Sequence, residues 1–141
     1  MASLAHEIRQ HLDGEYLGWP IFVSREPIEP SDVITLYDTP GLGSDTDEQT
    51  MLRPRLQVRT RSRDYLAAMD VHAAIRVTLT TLQALPISDG VVIGLNDVSG
   101  PFSIGRDDND RHIITANFEA VIDDGASASD DITWGDAPLS P

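Results

Sequence analysis

Two histidines near the N-terminus are the first residues whose types could do chemistry. His6 and His11 lie with Glu7 in a segment that is predicted to be helical, and zinc peptidases use a histidine pair and a glutamate on a helix. In zinc peptidases the two histidines are four residues apart, which places them on one face of the helix. At about 100° per residue, a spacing of five places His6 and His11 about 140° apart. We therefore predict that His6 and His11 are two solvated histidines. For His72 and His112 we predict structural roles in which each side chain is hydrogen-bonded.

A run of acids between two arginines is a second candidate for metal binding. Carboxylate oxygens are the ligands that calcium prefers, and Asp107, Asp108 and Asp110 lie within four residues. The spacing of a calcium-binding loop and its closing glutamate are absent, and Arg106 and Arg111 flank the acids. A charged hairpin turn is the favoured interpretation, because Asp and Asn tolerate turn conformations.

Other catalytic motifs are incomplete. Asp38-Thr-Pro-Gly41 resembles the segment of GTPases that meets magnesium, but those proteins also need a phosphate-binding loop that ends in lysine, and this chain has no lysine. The sequence has no cysteine and no GxSxG motif. It therefore predicts no catalytic residue, no metal and no cofactor, so the protein is not expected to be an enzyme.

Charge gives a stronger signal than any of these motifs. The 141 residues carry 23 acids against 10 arginines, a net charge of −13, which argues against a protein that coats nucleic acid. Half of the arginines occur within eleven positions. Three of them alternate with apolar residues on one predicted strand, and they form either a solvated strand face or a docking surface for acids of another chain. The five are Arg53, Arg55, Arg59, Arg61 and Arg63.

Periodicity and turn residues predict the elements that must position these side chains. We expect a helix over 3–12, a long loop over 39–53 and a second, long helix over 64–85. The long helix has a core row, with a second apolar row of Leu66, Met69, Ala73 and Val77. The predicted strands cover 21–24, 33–38, 55–61, 91–95, 101–104 and 112–122, with a turn over 105–111.

This order of elements predicts an α+β domain over residues 1–122. Its single sheet is mostly antiparallel or mixed, with the long helix packed on one face and a short N-terminal helix beside it. Residues 123–141 contain five aspartates and no basic residue, which indicates a flexible acidic tail and leaves −8 on the domain.

Several short segments, in order, resemble the minor capsid or tail-terminator proteins of long-tailed phages. The resemblance covers roughly residues 3–122, and its specificity lies in the order and spacing of the segments rather than in any one of them. The segments are Ser31–Gly41, Pro54–Arg59, Arg63–Ala67, Ile104–Asp107, Arg111-His112 and Asn117-Phe118.

The resemblance implies a virion protein, made in the host cytoplasm and located where the tail joins the neck. Such a subunit assembles into a hexameric ring that caps the tail tube, stops its polymerisation and contacts head-completion proteins. DNA passes through the ring without specific binding, and no membrane is involved. A different neck or head-completion protein, or an acidic regulatory module that mimics nucleic acid, are the alternatives.

Two sets of residues are candidates for these roles. Arg59 and Arg61 are expected to point away from the apolar face of their strand, so that replacing them weakens assembly more than folding. Acids in loops and turns would line the DNA channel, where negative charge repels phosphate. The predicted interface comprises Arg55, Arg59, Arg61, Arg63, Leu66, Met69, Ala73 and Val77, and the predicted channel acids are Asp45, Asp47, Glu48, Asp107, Asp108 and Asp110.

Overall fold

The computed structural model of the chain describes residues 3–42, 51–88 and 90–123. Within these ranges it contains two helices and seven strands, and neither helix is long and apolar enough to cross a membrane. In chain order the elements are α1 Leu4–His11, β1 Glu15–Tyr16, β2 Trp19–Val23, β3 Val33–Leu42, β4 Met51–Ser62, α2 Tyr65–Thr80, β5 Leu85–Ile87, β6 Gly90–Arg106 and β7 His112–Asp123.

Helix α1 forms where the sequence predicts it. Ser3 caps its start, since the Ser3 hydroxyl accepts a hydrogen bond from the His6 N–H at 3.2 Å. The backbone N–H of Ala5 donates to the Asp38 carboxylate of β3 at 3.0 Å, which fixes this end of the helix on the sheet. Leu4, Ala5 and Ile8 are buried, so the predicted apolar face meets the core.

Helix α2 is shorter than predicted, and the expectation of a long helix over 64–85 is wrong. Asp64 caps its start, accepting from the N–H groups of Leu66 and Ala67, but the helix ends at Thr80 after 16 residues. The hydroxyl of Thr81 donates to the Val77 carbonyl at 2.8 Å, which competes with continued helix. Residues 85–87 then pair with β6 as strand β5.

The strands form one mixed sheet in the order β1-β2-β3-β4-β7-β6-β5. The β2–β3 pair is parallel and every other neighbouring pair is antiparallel, which agrees with the predicted single, mixed sheet. The predicted loop over 39–53 is wrong at both ends, because β3 continues to Leu42 and β4 begins at Met51. Two predicted strands, 91–95 and 101–104, are parts of β6, whose pairing with β7 is interrupted by four register shifts.

Both helices pack on the same face of the sheet and share one hydrophobic core. Helix α1 contacts β2, β3 and β4, and α2 contacts β4, β6 and β7. Alternation along β4 places Leu56, Val58 and Thr60 in this core, as predicted, and turns the arginines to the opposite face. Apart from Asp123, the predicted acidic tail of residues 123–141 lies outside the described residues, so the domain boundary stays a prediction.

Candidate functional site

The arginines of β4 lie on the sheet face that the helices leave uncovered. The Arg55 Nε atom is 3.9 Å from a Glu119 carboxylate oxygen on β7, and the Arg59 guanidinium is 3.9 Å from Glu26. Arg59 also lies over the ring of Tyr37, 5.4 Å from its centroid, which is cation–π distance. Both arginines are half-buried, so a partner could reach them from this face.

Arg61 points away from the apolar face of β4, as predicted, but it is buried rather than exposed to solvent, and its role in assembly stays a prediction. The residue is 2% exposed, and its guanidinium donates to the carbonyls of Pro30 at 2.7 Å, Ser31 at 3.3 Å and Ile28 at 3.4 Å. The connection between β2 and β3 covers this end of the sheet, and the hydrogen bonds of Arg61 hold that connection in place. Burial, with a contribution from Arg111, lowers the pKa of Arg61, and Glu26 at 3.8 Å opposes the shift.

The second apolar row of α2 is on the surface, on the side of the sheet opposite to Arg55 and Arg59. Leu66 is 69% exposed and Val77 57% exposed, while Ala73 is exposed and Met69 is half-buried. The predicted interface residues thus fall on two separate faces of the subunit. Arg63 is exposed and donates to the Asn109 carbonyl of the β6–β7 turn at 2.8 Å.

The acids of the β6–β7 turn are largely paired with the arginines that flank them. Asp107 bonds to Arg111 at 2.9 Å and Asp110 bonds to Arg106 at 2.7 Å. Burial raises the pKa of Asp107, but hydrogen bonds from the backbone N–H groups of Arg111 and Asn109 outweigh it and hold the pKa below its usual value. Asp108 remains exposed at the tip of the turn. The other predicted channel acids, Asp45, Asp47 and Glu48, lie outside the described residues.

The histidines do not assemble a metal site. Over residues 3–42, 51–88 and 90–123, no three His, Cys, Asp or Glu side chains are grouped so that they could hold a metal ion. His6 and His11 are both exposed on α1. His72 is fully buried on α2, with its Nδ1 atom 3.5 Å from the Thr60 hydroxyl, and burial lowers its pKa to about 4.

Among the surface depressions that the described residues form, two are large enough to admit side chains. One, of about 330 Å³, lies between α1 and β5 and includes Glu7, which accepts hydrogen bonds from the backbone and hydroxyl of Ser88. The other, of about 270 Å³, follows the end of β2. It is lined by Phe22, Val23, Arg25 and Pro27, and we call it the β2 groove.

One surface escaped the sequence-based prediction. From residue 93 to residue 106, β6 is paired on one side with β7 and has no strand on its other side in the described part of the chain. We call this segment the β6 edge; Val98, Phe102 and Ile104 expose apolar side chains along it. The sequence predicts a strand over 101–104, but it does not show which strands lie at the edge of the sheet.

Comparisons with known proteins agree with this fold. No curated protein matches the sequence. A solved chain described as "Virion of native gene transfer agent (GTA) particle" superposes with a TM-score of 0.66 at 17% sequence identity, covering 85% of this chain and 94% of that chain. At this identity the superposition shows a shared fold.

The family comparison is more specific than the structural one. The model of a family described as "Bacteriophage tail terminator protein" matches residues 4–124, which spans every helix and strand described above. That family is one of phage structural proteins rather than a class of enzymes. The chain belongs to the bacteriophage tail terminator protein family, and it is a structural protein of the phage virion.

Proposed function

We propose that this protein forms a hexameric ring at the end of the phage tail tube, where it stops polymerisation and joins the tail to the head-completion proteins at the neck. The match of residues 4–124 to the tail terminator family carries the proposal. The surface of the subunit supports it, because a ring needs two different surfaces on each copy, one for each neighbour, and further surfaces for the tube and the neck.

The described residues offer two such surfaces. The half-buried Arg55 and Arg59 form a basic strip on the uncovered sheet face, suited to an acidic patch on another chain. The exposed α2 row of Leu66 and Val77, with Arg63 at the start of the helix, offers an apolar contact on the opposite side. We assign these two surfaces to contacts with neighbouring copies, the tube protein or the neck protein.

The net charge of −13 per chain suits a wall past which DNA must slide without being held. Pairing with Arg106 and Arg111 reduces what Asp107 and Asp110 contribute, so we test the channel role at three of the other predicted channel acids, Asp45, Asp47 and Glu48. Replacing these three acids by lysine should slow DNA ejection from assembled virions in vitro. An unchanged ejection rate would contradict the channel assignment and leave the capping role intact.

Phage particles assembled without this protein give the functional test. If the chain terminates tails, its absence yields tubes of uncontrolled length that do not join heads, and adding the purified protein restores joining. Normal tails that fail only at the head would instead indicate a neck or head-completion protein. Normal, infectious particles would contradict both structural roles and favour an acidic regulatory module.

A further inference from the structure

We propose that neighbouring copies in the ring meet through opposite edges of the sheet, with the β6 edge of one copy seated against β2 and the β2 groove of the next. This proposal rests on the proposed ring and names the contact that would close it. A head-to-tail contact between two different edges is the heterologous type that generates rings.

The β6 edge is a surface that needs a partner. Strand β5 pairs only with residues 90–92 of β6, and the Ile93 carbonyl accepts from the Ala84 N–H at 3.4 Å, so the thirteen residues from 94 to 106 present backbone donors and acceptors on their outer side. Residues 96–106 are all exposed, and among them are the apolar side chains of Val98, Phe102 and Ile104. Long apolar edge strands promote uncontrolled association unless something covers them.

The opposite edge of the sheet is similarly incomplete. Strand β1 pairs only with Trp19 and Pro20, and the Ile21 carbonyl accepts from the Arg9 Nε at 2.6 Å, so the open part of β2 is limited to Phe22 and Val23. The Ile21 N–H, which points outward, bonds to the Gly14 carbonyl at 2.9 Å. Because alternate N–H groups of a strand point the same way, the Val23 N–H is directed toward the open side, next to the β2 groove.

The register of the sheet places one phenylalanine on each edge at the same position along the strand direction. Phe22 pairs with Thr35, Thr35 with Arg59, Arg59 with Thr115, and Thr115 with Phe102. Paired residues share one sheet face, so Phe22 and Phe102 lie at the two ends of one row, on the face away from the helices. Phe102 is 46% exposed, and Phe22 lines the groove.

The strand directions favour direct pairing of these two residues between copies. Strand β6 runs antiparallel to β2, and rotation about a ring axis that lies along the strands preserves that relation between neighbouring copies. Opposed residues of an antiparallel pair have Cα atoms about 4.5–5.5 Å apart, and aromatic pairs of this kind are favourable. Phe102 of one copy would then face Phe22 of the next.

Charge complementarity agrees with this orientation. Arg25 follows the carboxyl end of β2, is exposed, and is alone among the ten arginines in having no hydrogen bond or ion pair to another described residue. In the antiparallel arrangement this end of β2 faces the part of β6 that precedes Phe102. Asp97, the one acid between residues 93 and 106, lies there; its carboxylate forms an ion pair with Arg76 at 2.6 Å, and its side chain stays 33% exposed toward a second arginine. A second copy of the chain is therefore the occupant that fits the groove.

Cysteine cross-linking tests the contact directly, because the natural chain contains no cysteine. A chain carrying both Phe22→Cys and Phe102→Cys should give, on oxidation, a ladder of covalent oligomers that ends at six copies, since the expected Cα separation lies within disulfide range. Each single variant should give no ladder. The matched control carries Phe22→Cys with Asp70→Cys, an exposed position on α2 that belongs to none of the proposed contacts, and it should also give none.

Native mass spectrometry of the unmodified protein separates the possible failures. A sixfold ring without the Phe22–Phe102 ladder, or a ladder that the control pair also gives, would overturn this contact and leave the ring standing. A monomer with no affinity for tail tubes would overturn both the ring and the contact. Phe102→Asp provides a second measurement: it should abolish the ring while the circular dichroism spectrum stays unchanged, and an intact ring would contradict the proposal.

Discussion

Replacing Arg61 tests whether this arginine holds the subunit together or forms an interface. Arg61→Met keeps most of the side-chain volume but removes the charge and the donors to Ile28, Pro30 and Ser31. Glu26, 3.8 Å from Arg61, would be left with a weaker counter-ion. We therefore expect the substitution to destabilise the fold rather than to affect assembly alone.

The magnitude follows from the burial of the pair. Removing one partner of a buried ion pair costs about 3–5 kcal/mol, and we expect the lower end because Arg59 still lies 3.9 Å from Glu26. Arg63→Met is the matched control. Arg63 is exposed and loses a single hydrogen bond to the Asn109 carbonyl, so its replacement should cost about 1 kcal/mol or less.

Urea unfolding followed by circular dichroism measures both free energies of unfolding. All variants are compared at one protein concentration, because assembly adds to the apparent stability. An Arg61→Met chain that unfolds within about 1 kcal/mol of the natural chain but no longer forms rings would refute the structural role. It would restore the interface role that the sequence predicts.

Four further substitutions test the core and two glycine positions. His72, with a pKa of about 4, stays neutral in the folded state while the unfolded chain takes up a proton near pH 6.5. Stability should therefore fall by about 3 kcal/mol as the pH drops from 6.5 to 4, and His72→Leu should flatten that part of a stability-against-pH curve. Gly100→Ala should cost about 1–3 kcal/mol in thermal unfolding, because φ is +92° and the new Cβ would lie 2.8 Å from the Thr115 carbonyl oxygen. Gly18→Ala, at φ +84° but in open space, should cost less. Ile75→Asp puts a charge into the core, so loss of the cooperative melting transition is expected.

The features that the sequence predicted correctly are those set by local chemistry. The side chains of Ser3 and Asp64 bond to N–H groups within three residues of themselves, so the starts of both helices depend on the local sequence alone. Alternation along β4 identified the buried face, because Leu56 and Val58 could face only the core.

The errors arise where distant residues decide the structure. Helix α2 ends early because residues 85–87 pair with β6, and apolar periodicity carries no information about that pairing. Arg61 is buried because the carbonyls of residues 28–31, thirty positions away, close over it. The β6 edge was missed for a related reason, since only the sheet order shows which strand lacks a neighbour.

The family could be predicted although none of its segments is diagnostic alone, because their order along the chain reflects the order of the elements. In the structure, strand β3 is followed by β4 and then by helix α2, which is the order of their sequence segments along the chain. The interface residues are harder to predict than the family, because exposure shows where a partner can bind and not which partner binds.

Electron microscopy of the purified protein, alone and mixed with tail tubes, tests the central claim most directly. We expect rings of six subunits, six times the 15.4 kDa of one chain, and a single ring at the end of each tube. Monomers that leave the tube ends bare and the tubes still growing would contradict it.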